Sequence, residues 1–433
     1  MSLKSYKIIT FGCQMNIADS GVLQSIMEAN GYLASESEKE ADIVILNTCS
    51  VRDKAETRVL GRLSELSQYK RLDSNKKIVV VGCMAQRLGQ QLLEKAPYVD
   101  YVLGTDRLFD LPLYLQNGNS GTAVNTAFGE VEIDNVVPSR DSRFASFVTI
   151  SRGCDNFCTY CIVPYVRGRE RSYPIKTIVD QVKRLVDDGV LEITFLGQNV
   201  NSYQDGGKDF TALLHEVITN TNIKRIRFMT SHPKDMSDKL IELIGTEPKM
   251  MRHVHLPLQS GSDRILRKMG RAYTFEHYYS LVEKLHLTAP EISITTDLIV
   301  GFPGETEDEF QATLAAVRKV GFDSAFMFRY SPRLGTKAAS MVDDIREEEK
   351  IRRLNILIDL QKEVAYNKNQ GEIGRVHSVL VDDFSRRDER VLKGKTGGNK
   401  TILFVGEADL IGSIIDIRVK SADSWTLHGD MVG

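Results

Sequence analysis

Ser151-Arg152-Gly153-Cys154-Asp155-Asn156-Phe157-Cys158-Thr159-Tyr160-Cys161 packs three thiols into the eight residues 154–161. The run 147–150 just before it is short and apolar and reads as a strand, so the cysteines occupy a loop at a strand end. Thiolates at this spacing can wrap one iron–sulfur cluster. A cubane needs four ligands and this loop supplies three, which leaves one iron open to bind something else. Zinc is the competing reading. Zinc motifs usually pair CxxC units or add histidine, and no histidine lies between Asp134 and Lys208.

Outward from that loop, the chain has 433 residues, 42% hydrophobic and 26% charged, the mix of a soluble protein of two or three domains. Lys plus Arg (56) nearly cancels Asp plus Glu (58), a formal charge of -2, so any case for a polyanionic partner must be local. No apolar run approaches the roughly 18 residues of a membrane span. Residues 1–7 carry no apolar secretion segment, so the expectation is a cytoplasmic protein without a membrane partner. Disulfides are disfavoured there, which argues against pairing the six cysteines.

The first hundred residues repeat a short apolar run, a turn and an amphipathic stretch. Strands are expected at 6–10, 42–47 and 77–81, and helices at 18–30, 52–69 and 86–95, with Gly31 as a helix-ending glycine. This βαβαβα order implies a parallel sheet. Cys13, Cys49 and Cys83 each fall one to three residues past an expected strand, at separations of 36 and 34 residues. The carboxyl ends of parallel strands share one edge, where ligands bind, so the three thiols can converge. Buried core cysteines are the plainer alternative, but the same placement in three successive units favours a shared site.

From 117 to 143 the pattern fades into a linker. Strands then recur at 147–150, 192–196, 225–229, 253–258, 293–300 and 323–330, alternating with helices. Six units without the usual eight predict a partial (β/α)6 barrel with its chemistry at the carboxyl ends of the strands. One of its helices, 305–320, has acids in its first turn and Arg318, Lys319 and Gly321 at its end. Residues 346–369 read as one long helix, charged outside and Ile/Leu inside. Strand-period segments at 375–381, 389–395, 401–405, 413–420 and 424–428 predict a small all-β barrel. The fold class is therefore α/β with a β appendage.

The cysteine loop after a first barrel strand resembles the radical S-adenosylmethionine (SAM) superfamily. Thr10-Phe11-Gly12-Cys13-Gln14-Met15-Asn16, Asn47-Thr48-Cys49-Ser50-Val51-Arg52 and Val81-Gly82-Cys83-Met84-Ala85-Gln86-Arg87 resemble the N-terminal domain of the methylthiotransferases. Gly153 to Tyr165, followed by Arg167-Gly168-Arg169-Glu170-Arg171-Ser172, is similar to their tRNA-modifying, MiaB-type branch. Tyr173 stands where that branch usually has arginine. The tail resembles a TRAM domain. The resemblance implies a methylthiotransferase domain over 1–120, a radical SAM domain over 140–368 and a TRAM RNA-binding domain over 371–433.

It further implies two [4Fe-4S] clusters. A radical cluster would sit on Cys154, Cys158 and Cys161, and an auxiliary cluster on Cys13, Cys49 and Cys83. One SAM would donate a methyl group and a second a 5′-deoxyadenosyl radical, and the substrate would be N6-isopentenyladenosine at position 37 of a tRNA anticodon stem-loop. Sister enzymes modify threonylcarbamoyl-adenosine in tRNA or an aspartate of a ribosomal protein. An electron donor such as flavodoxin or ferredoxin and a sulfur source for the auxiliary cluster are implied partners, with the enzyme a monomer. A reading of another class is a non-catalytic RNA-binding protein that holds iron–sulfur or zinc.

Tyr160, Gln198, Asn199, Gln259, Ser260 and Gly301 are the SAM-contact candidates carried over, each otherwise a loop cap or turn. Arg167, Arg169 and Arg171 alternate, so an extended chain puts them on one face, and 140–184 has nine Arg/Lys against four Asp/Glu, net +5. In the tail, 386–400 has six against two, net +4, including Arg386, Arg387, Arg390, Lys393 and Lys395. Phosphate contact is the expected use of both strips, a solvated charge run the alternative.

Overall fold

The computed structural model describes residues 4–50, 53–116, 122–129, 143–385 and 388–432, with backbone alone at 53–55. The N-terminal unit runs β1 (Ser5–Thr10), α1 (Gln14–Ala29), β2 (Leu33–Ala34), β3 (Ile43–Thr48), α2 (Asp53–Leu72), β4 (Lys77–Gly82), α3 (Cys83–Leu88), α4 (Gln90–Lys95), β5 (Tyr101–Leu103), α5 (Leu111–Gln116) and β6 (Ala123–Asn125). The strands form one parallel sheet in the order β2-β1-β3-β4-β5-β6. All six residues of β3 are buried, as a central strand covered on both faces must be. The expected helix over 86–95 is two helices, broken at Gly89 where φ is +49°. The segment read as a linker contributes edge strand β6, whose three half-buried residues carry too little apolar signal to be seen in sequence.

The chain leaves β1 for β2 on one side and returns to β3 on the other. The crevice of this open sheet therefore lies at the carboxyl ends of β1 and β3. Cys13 and Cys49 follow those two strands, and Cys83 follows the next.

The central unit runs β7 (Ala145–Thr149), β8 (Ser151–Arg152), α6 (Val163–Arg167), β9 (Arg171–Ser172), α7 (Ile175–Asp187), β10 (Glu192–Leu196), β11 (Gln204–Asp205), β12 (Lys208–Asp209), α8 (Phe210–Asn220), β13 (Arg225–Phe228), α9 (Asp238–Thr246), β14 (His253–His255), α10 (Asp263–Lys268), α11 (Phe275–Thr288), β15 (Ser293–Val300), α12 (Glu307–Val320), β16 (Ser324–Arg329) and α13 (Glu347–Gln370). Parallel sheets β7-β10-β13 and β14-β15-β16 meet through the bridge Ile226–Met250. Together they make the six-stranded partial barrel. β14 stops at His255, short of the expected 258, because Pro257 has no N–H for the ladder. In α12 a capping box joins Thr306 and Glu309, and Gly321, with φ +66°, ends the helix.

α13 corrects its sequence reading. Leu357 and Leu360 are buried as expected, but so are Lys350 and Arg353, while Ile351 and Ile358 face outward. Arg353 donates to Glu305 at 2.8 Å and to Glu349 at 2.7 Å, so the helix packs through ion pairs as well as apolar contacts.

The tail forms a closed barrel, β17 (Val376–Ser385), β18 (Asp388–Thr396), β19 (Thr401–Val405), β20 (Ile414–Ala422) and β21 (Thr426–Met431). Its 396–400 turn docks on the amino-terminal ends of the central strands, opposite the cysteine loop. Arg227 donates to the carbonyls of Thr396 at 2.6 Å and Gly397 at 2.8 Å, and Arg225 to that of Lys395 at 3.1 Å. Both guanidiniums also lie 2.9 Å from Glu192. The tail therefore plugs the barrel floor. Arg227→Met strips two carbonyls and one carboxylate of a buried partner. We expect a loss of about 3 kcal/mol, roughly 6–12 °C in the melting temperature of a unit this size. Thermal unfolding of the full chain checks this, and an unchanged melting temperature would show that the plug carries no stability.

Candidate functional site

The 154–161 loop is pinned from two sides. The Cys154 N–H donates to Gly168 O at 3.2 Å, while Thr159 donates through its N–H to Met269 O at 2.9 Å and through Oγ1 to Lys268 O at 2.8 Å. Gly153 is required at the entry: its φ is +79°, and a Cβ there would lie 2.0 Å from Arg169 O. Cys154 and Cys158 are buried and Cys161 half-buried. Burial raises the Cys154 thiol, and burial with Cys158 beside it pushes Cys161 up to about 12. Such thiols ionise at neutral pH when a cation receives them.

The first trio in chain order, Cys13, Cys49 and Cys83, gathers at the sheet crevice. Cys13 sits at the amino end of α1, Cys49 one residue past β3, and Cys83 opens α3. A Cβ at Gly12 would meet Cys49 Cβ at 2.9 Å and Asn16 Oδ1 at 2.4 Å, so glycine permits this closeness. Asn16 Nδ2 donates to Asn47 Oδ1 at 2.9 Å and Thr48 O at 3.0 Å, and Asn47 Nδ2 donates to Asn16 O at 2.8 Å. These amides, which sequence reading treated as motif letters, tie the first two cysteine loops together. A hydrogen bond with Cys49, aided by the Arg167 charge, lowers the Cys13 thiol to about 6, while burial raises Cys83.

Buried ion pairs seat the two units on each other. Asp19 of α1 lies 2.9 Å from Arg152 and 2.9 Å from Arg167. Asp106 pairs with Arg171 at 2.8 Å. Thr105 Oγ1 donates to Val166 O at 2.7 Å, and Arg152 Nη2 donates to Thr105 O at 3.1 Å. Met15 and Ala18 pack on Phe147 and Leu196, and Cys83 on Ile162 and Val166. The result is one cavity of about 620 Å³, walled by Cys13, Gln14 and Met15 on one side and by Cys154, Cys158 and Cys161 on another. Among the described residues, no three His, Cys, Asp or Glu side chains close around a point as the ligands of a single ion would.

Tyr160, Gln198, Asn199 and Gln259 line this cavity. Ser260 and Gly301 are not among its walls. Ser260 Oγ accepts the Ser262 N–H at 3.2 Å and faces Thr313, and the Gly301 N–H donates to Glu305 at 2.7 Å. Both shape the backbone behind the wall. Thr230 (φ +67°) and Gln259 (φ +73°) hold left-handed backbone, a strain that non-glycine residues keep mostly at working sites. Among the described residues, Asn199 Oδ1, Gln259 Oε1 and Ser231 Oγ are buried with no hydrogen-bond partner, and all three residues belong to the wall. The sequence reading missed Ser231, Arg271 and Asp297 in the same wall, because each is a lone polar residue outside any motif.

The basic strips are corrected in part. Arg167 ends helix α6 and Gly168 turns at φ +75°, so the three arginines do not share an extended face. Arg167 is 2% exposed and serves Asp19 and the first trio rather than a phosphate. Arg171 is half-exposed but committed to Asp106 and to Gly129 O at 2.6 Å. Arg169 is exposed, with its guanidinium 5.1 Å over Phe157. In the tail, Arg390 is exposed beside Asp388 and Lys393 lies 3.3 Å from Asp382. Lys395 turns inward to Thr401 at 2.9 Å, and burial with Arg227 nearby lowers its ammonium. Arg386 and Arg387 lie outside the described residues.

Comparison with known proteins matches residues 5–104 to the uncharacterized protein family UPF0004, 148–317 to the radical SAM superfamily and 370–432 to the TRAM domain. The chain is 44% identical over 435 residues to the tRNA-2-methylthio-N(6)-dimethylallyladenosine synthase of Dictyoglomus thermophilum, covering 99% of both. It is 46% identical over 437 residues to that of Moorella thermoacetica, covering 99% of this chain and 98% of the other. Among solved structures, the radical SAM methyltransferase TsrM of Kitasatospora setae superposes with a TM-score of 0.56 at 16% identity, covering 78% of this chain and 77% of that one. The cobalamin-dependent SAM radical enzyme OxsB gives 0.55 at 15% identity, covering 83% and 56%. At such identities the likeness is one of fold.

Proposed function

This chain belongs to the tRNA-2-methylthio-N(6)-dimethylallyladenosine synthase family of radical SAM enzymes, and from that premise we propose how its residues divide the work. It is a tRNA methylthiotransferase. We assign it the addition of a methylthio group to C2 of N6-isopentenyladenosine at position 37 (isopentenyl and dimethylallyl name one substituent). The observation that carries this reading is the cavity walled by Cys13 of the first trio together with Cys154, Cys158 and Cys161.

As a radical SAM enzyme it uses a [4Fe-4S] cluster and SAM. Cys154, Cys158 and Cys161 would hold that cluster, and their donor set fits, since three soft thiols leave one metal position open. Cys13, Cys49 and Cys83 would hold an auxiliary cluster, with Arg167 offsetting its negative charge. When bound, the first group supplies the electron that splits SAM and the second presents the sulfur to be methylated and transferred. The chain's own part is binding and orientation. Asn199, Gln259 and Ser231 offer acceptors suited to the SAM ammonium, and Tyr160 offers a ring for its adenine.

The seated N-terminal unit narrows the barrel mouth, so a substrate base must be turned out of a single-stranded loop to enter. Arg169, Arg390 and Lys393, with the TRAM barrel, would hold the anticodon stem-loop. Flavodoxin or ferredoxin as electron donor, a sulfur source for the auxiliary site, and a cytoplasmic monomer complete the proposal. No helix among the described residues is long and apolar enough to cross a membrane.

The test is nucleoside mass spectrometry of tRNA from a strain lacking the gene. The methylthio mark on isopentenyladenosine should vanish, isopentenyladenosine should accumulate, and threonylcarbamoyl species should be untouched. Persistence of the mark would overturn the assignment.

A further inference from the structure

Six arginines are buried among the described residues: Arg152, Arg167, Arg225, Arg227, Arg271 and Arg353. Five of them face a carboxylate: Arg152 and Arg167 meet Asp19, Arg225 and Arg227 meet Glu192, and Arg353 meets Glu305. Arg271, 7% exposed, forms no ion pair with a described carboxylate. Its guanidinium is instead fixed by neutral groups. Nε donates to Tyr273 OH at 2.9 Å, Nη2 donates to Pro257 O at 2.9 Å, and Nη1 points at Cys158 Sγ, 3.6 Å away. A guanidinium stays protonated in proteins, so this buried group is a cation.

A buried cation without an anion is costly, and native interiors rarely leave one so. The missing anion is next to Nη1. A [4Fe-4S] core of charge 2+ on three thiolates carries one net negative charge, and one-electron reduction adds a second. We infer that Arg271 is the built-in counter-charge of the cluster on Cys154, Cys158 and Cys161, and that its fixed N–H···Sγ contact eases reduction of that cluster. A nearby positive charge and a hydrogen bond to a ligand sulfur both favour the more negative, reduced state. The barrel supplies this group from the segment after α10, whose Met269 and Lys268 carbonyls also pin the cysteine loop. Cation and ligand loop are thus held by the same short segment.

The inference rests on the cluster assignment above, and the test separates the two. The full chain carrying Cys13→Ala, Cys49→Ala and Cys83→Ala shows one cluster, and its reduction is titrated without SAM, read by EPR. Arg271→Gln should lower the reduced-to-oxidised ratio at the parent's midpoint at least tenfold, 59 mV more negative for one electron. Arg271→Lys keeps the charge and should stay within threefold of the parent. An unshifted Gln variant, even one with weakened SAM binding, would assign the guanidinium to the ligand and overturn the inference. Equal shifts in both variants would assign the effect to packing and overturn it too. If Arg271→Gln holds no iron, Arg271→Lys decides: iron with the parental potential supports the counter-charge, and loss of iron overturns it. A parent chain that holds no iron would sink the cluster assignment itself, and this inference with it.

Discussion

Cys49→Ala should stop methylthio product while SAM cleavage under chemical reduction stays within about tenfold of the parent, a change of 1.4 kcal/mol in barrier at most. Cys158→Ala should abolish cleavage itself. The asymmetry follows from where the thiols stand. Cys158 belongs to the loop pinned to Gly168, Met269 and Lys268, and none of those supports passes through the N-terminal sheet. Cys49 hangs one residue past β3, in hydrogen-bond contact with Cys13, so its loss leaves two thiols at the crevice and the barrel loop intact. The measurements are 5′-deoxyadenosine release and methylthio product from one reaction, resolved by liquid chromatography and mass spectrometry. Product from Cys49→Ala at the parental rate would end the auxiliary role of the first trio. Cleavage by Cys158→Ala at the parental rate would end the radical role of the second.

Much of this site is legible in the sequence because thiol placement is a matter of topology. A cysteine one to three residues past a strand of a parallel sheet has few places to go, and the order of strands and helices supplies the sheet. The periodic elements were accordingly readable, down to Ser293–Val300, which falls on its expected bounds. What sequence hides is direction. The alternating arginines 167, 169 and 171 look like one face of an extended chain, yet Val163–Arg167 is a one-turn helix closed by a left-handed glycine. Arg167 then points inward, and its partner Asp19 lies 148 residues away in sequence. Ser260 and Gly301 sit past the correct strands, but the Ser262 N–H and the Glu305 carboxylate claim their polar groups. Arg271 carries no motif at all. Its meaning comes from Cys158, 113 residues earlier, which periodicity cannot bring beside it.

Asp19 carries the second large prediction, because it is the buried joint that aims one trio at the other. Its carboxylate, 1% exposed, accepts two guanidiniums from the central barrel at 2.9 Å each. Asp19→Ala leaves Arg152 with Asp106 no closer than 3.9 Å, and Arg167 with thiols for company. Removing one partner of such a pair costs on the order of 3–5 kcal/mol, most of it from the stranded charge. We expect product to fall to background while reductive SAM cleavage persists, since the cysteine loop keeps its own supports. An exposed control, Asp180→Ala beside Lys176, should leave both readouts unchanged, as isolated surface pairs contribute about 0–1 kcal/mol. The double variant Asp19→Ala/Arg167→Met separates aiming from stability. It removes the acid and one of the cations, so part of the lost stability should return, as replacing a buried pair with apolar groups often costs little. Product should stay absent, because neither the joint nor the cation of the first trio is restored. Thermal unfolding alongside product formation reads both effects. Recovery of product in the double variant would mean that the Asp19 joint stabilises the interface without orienting it.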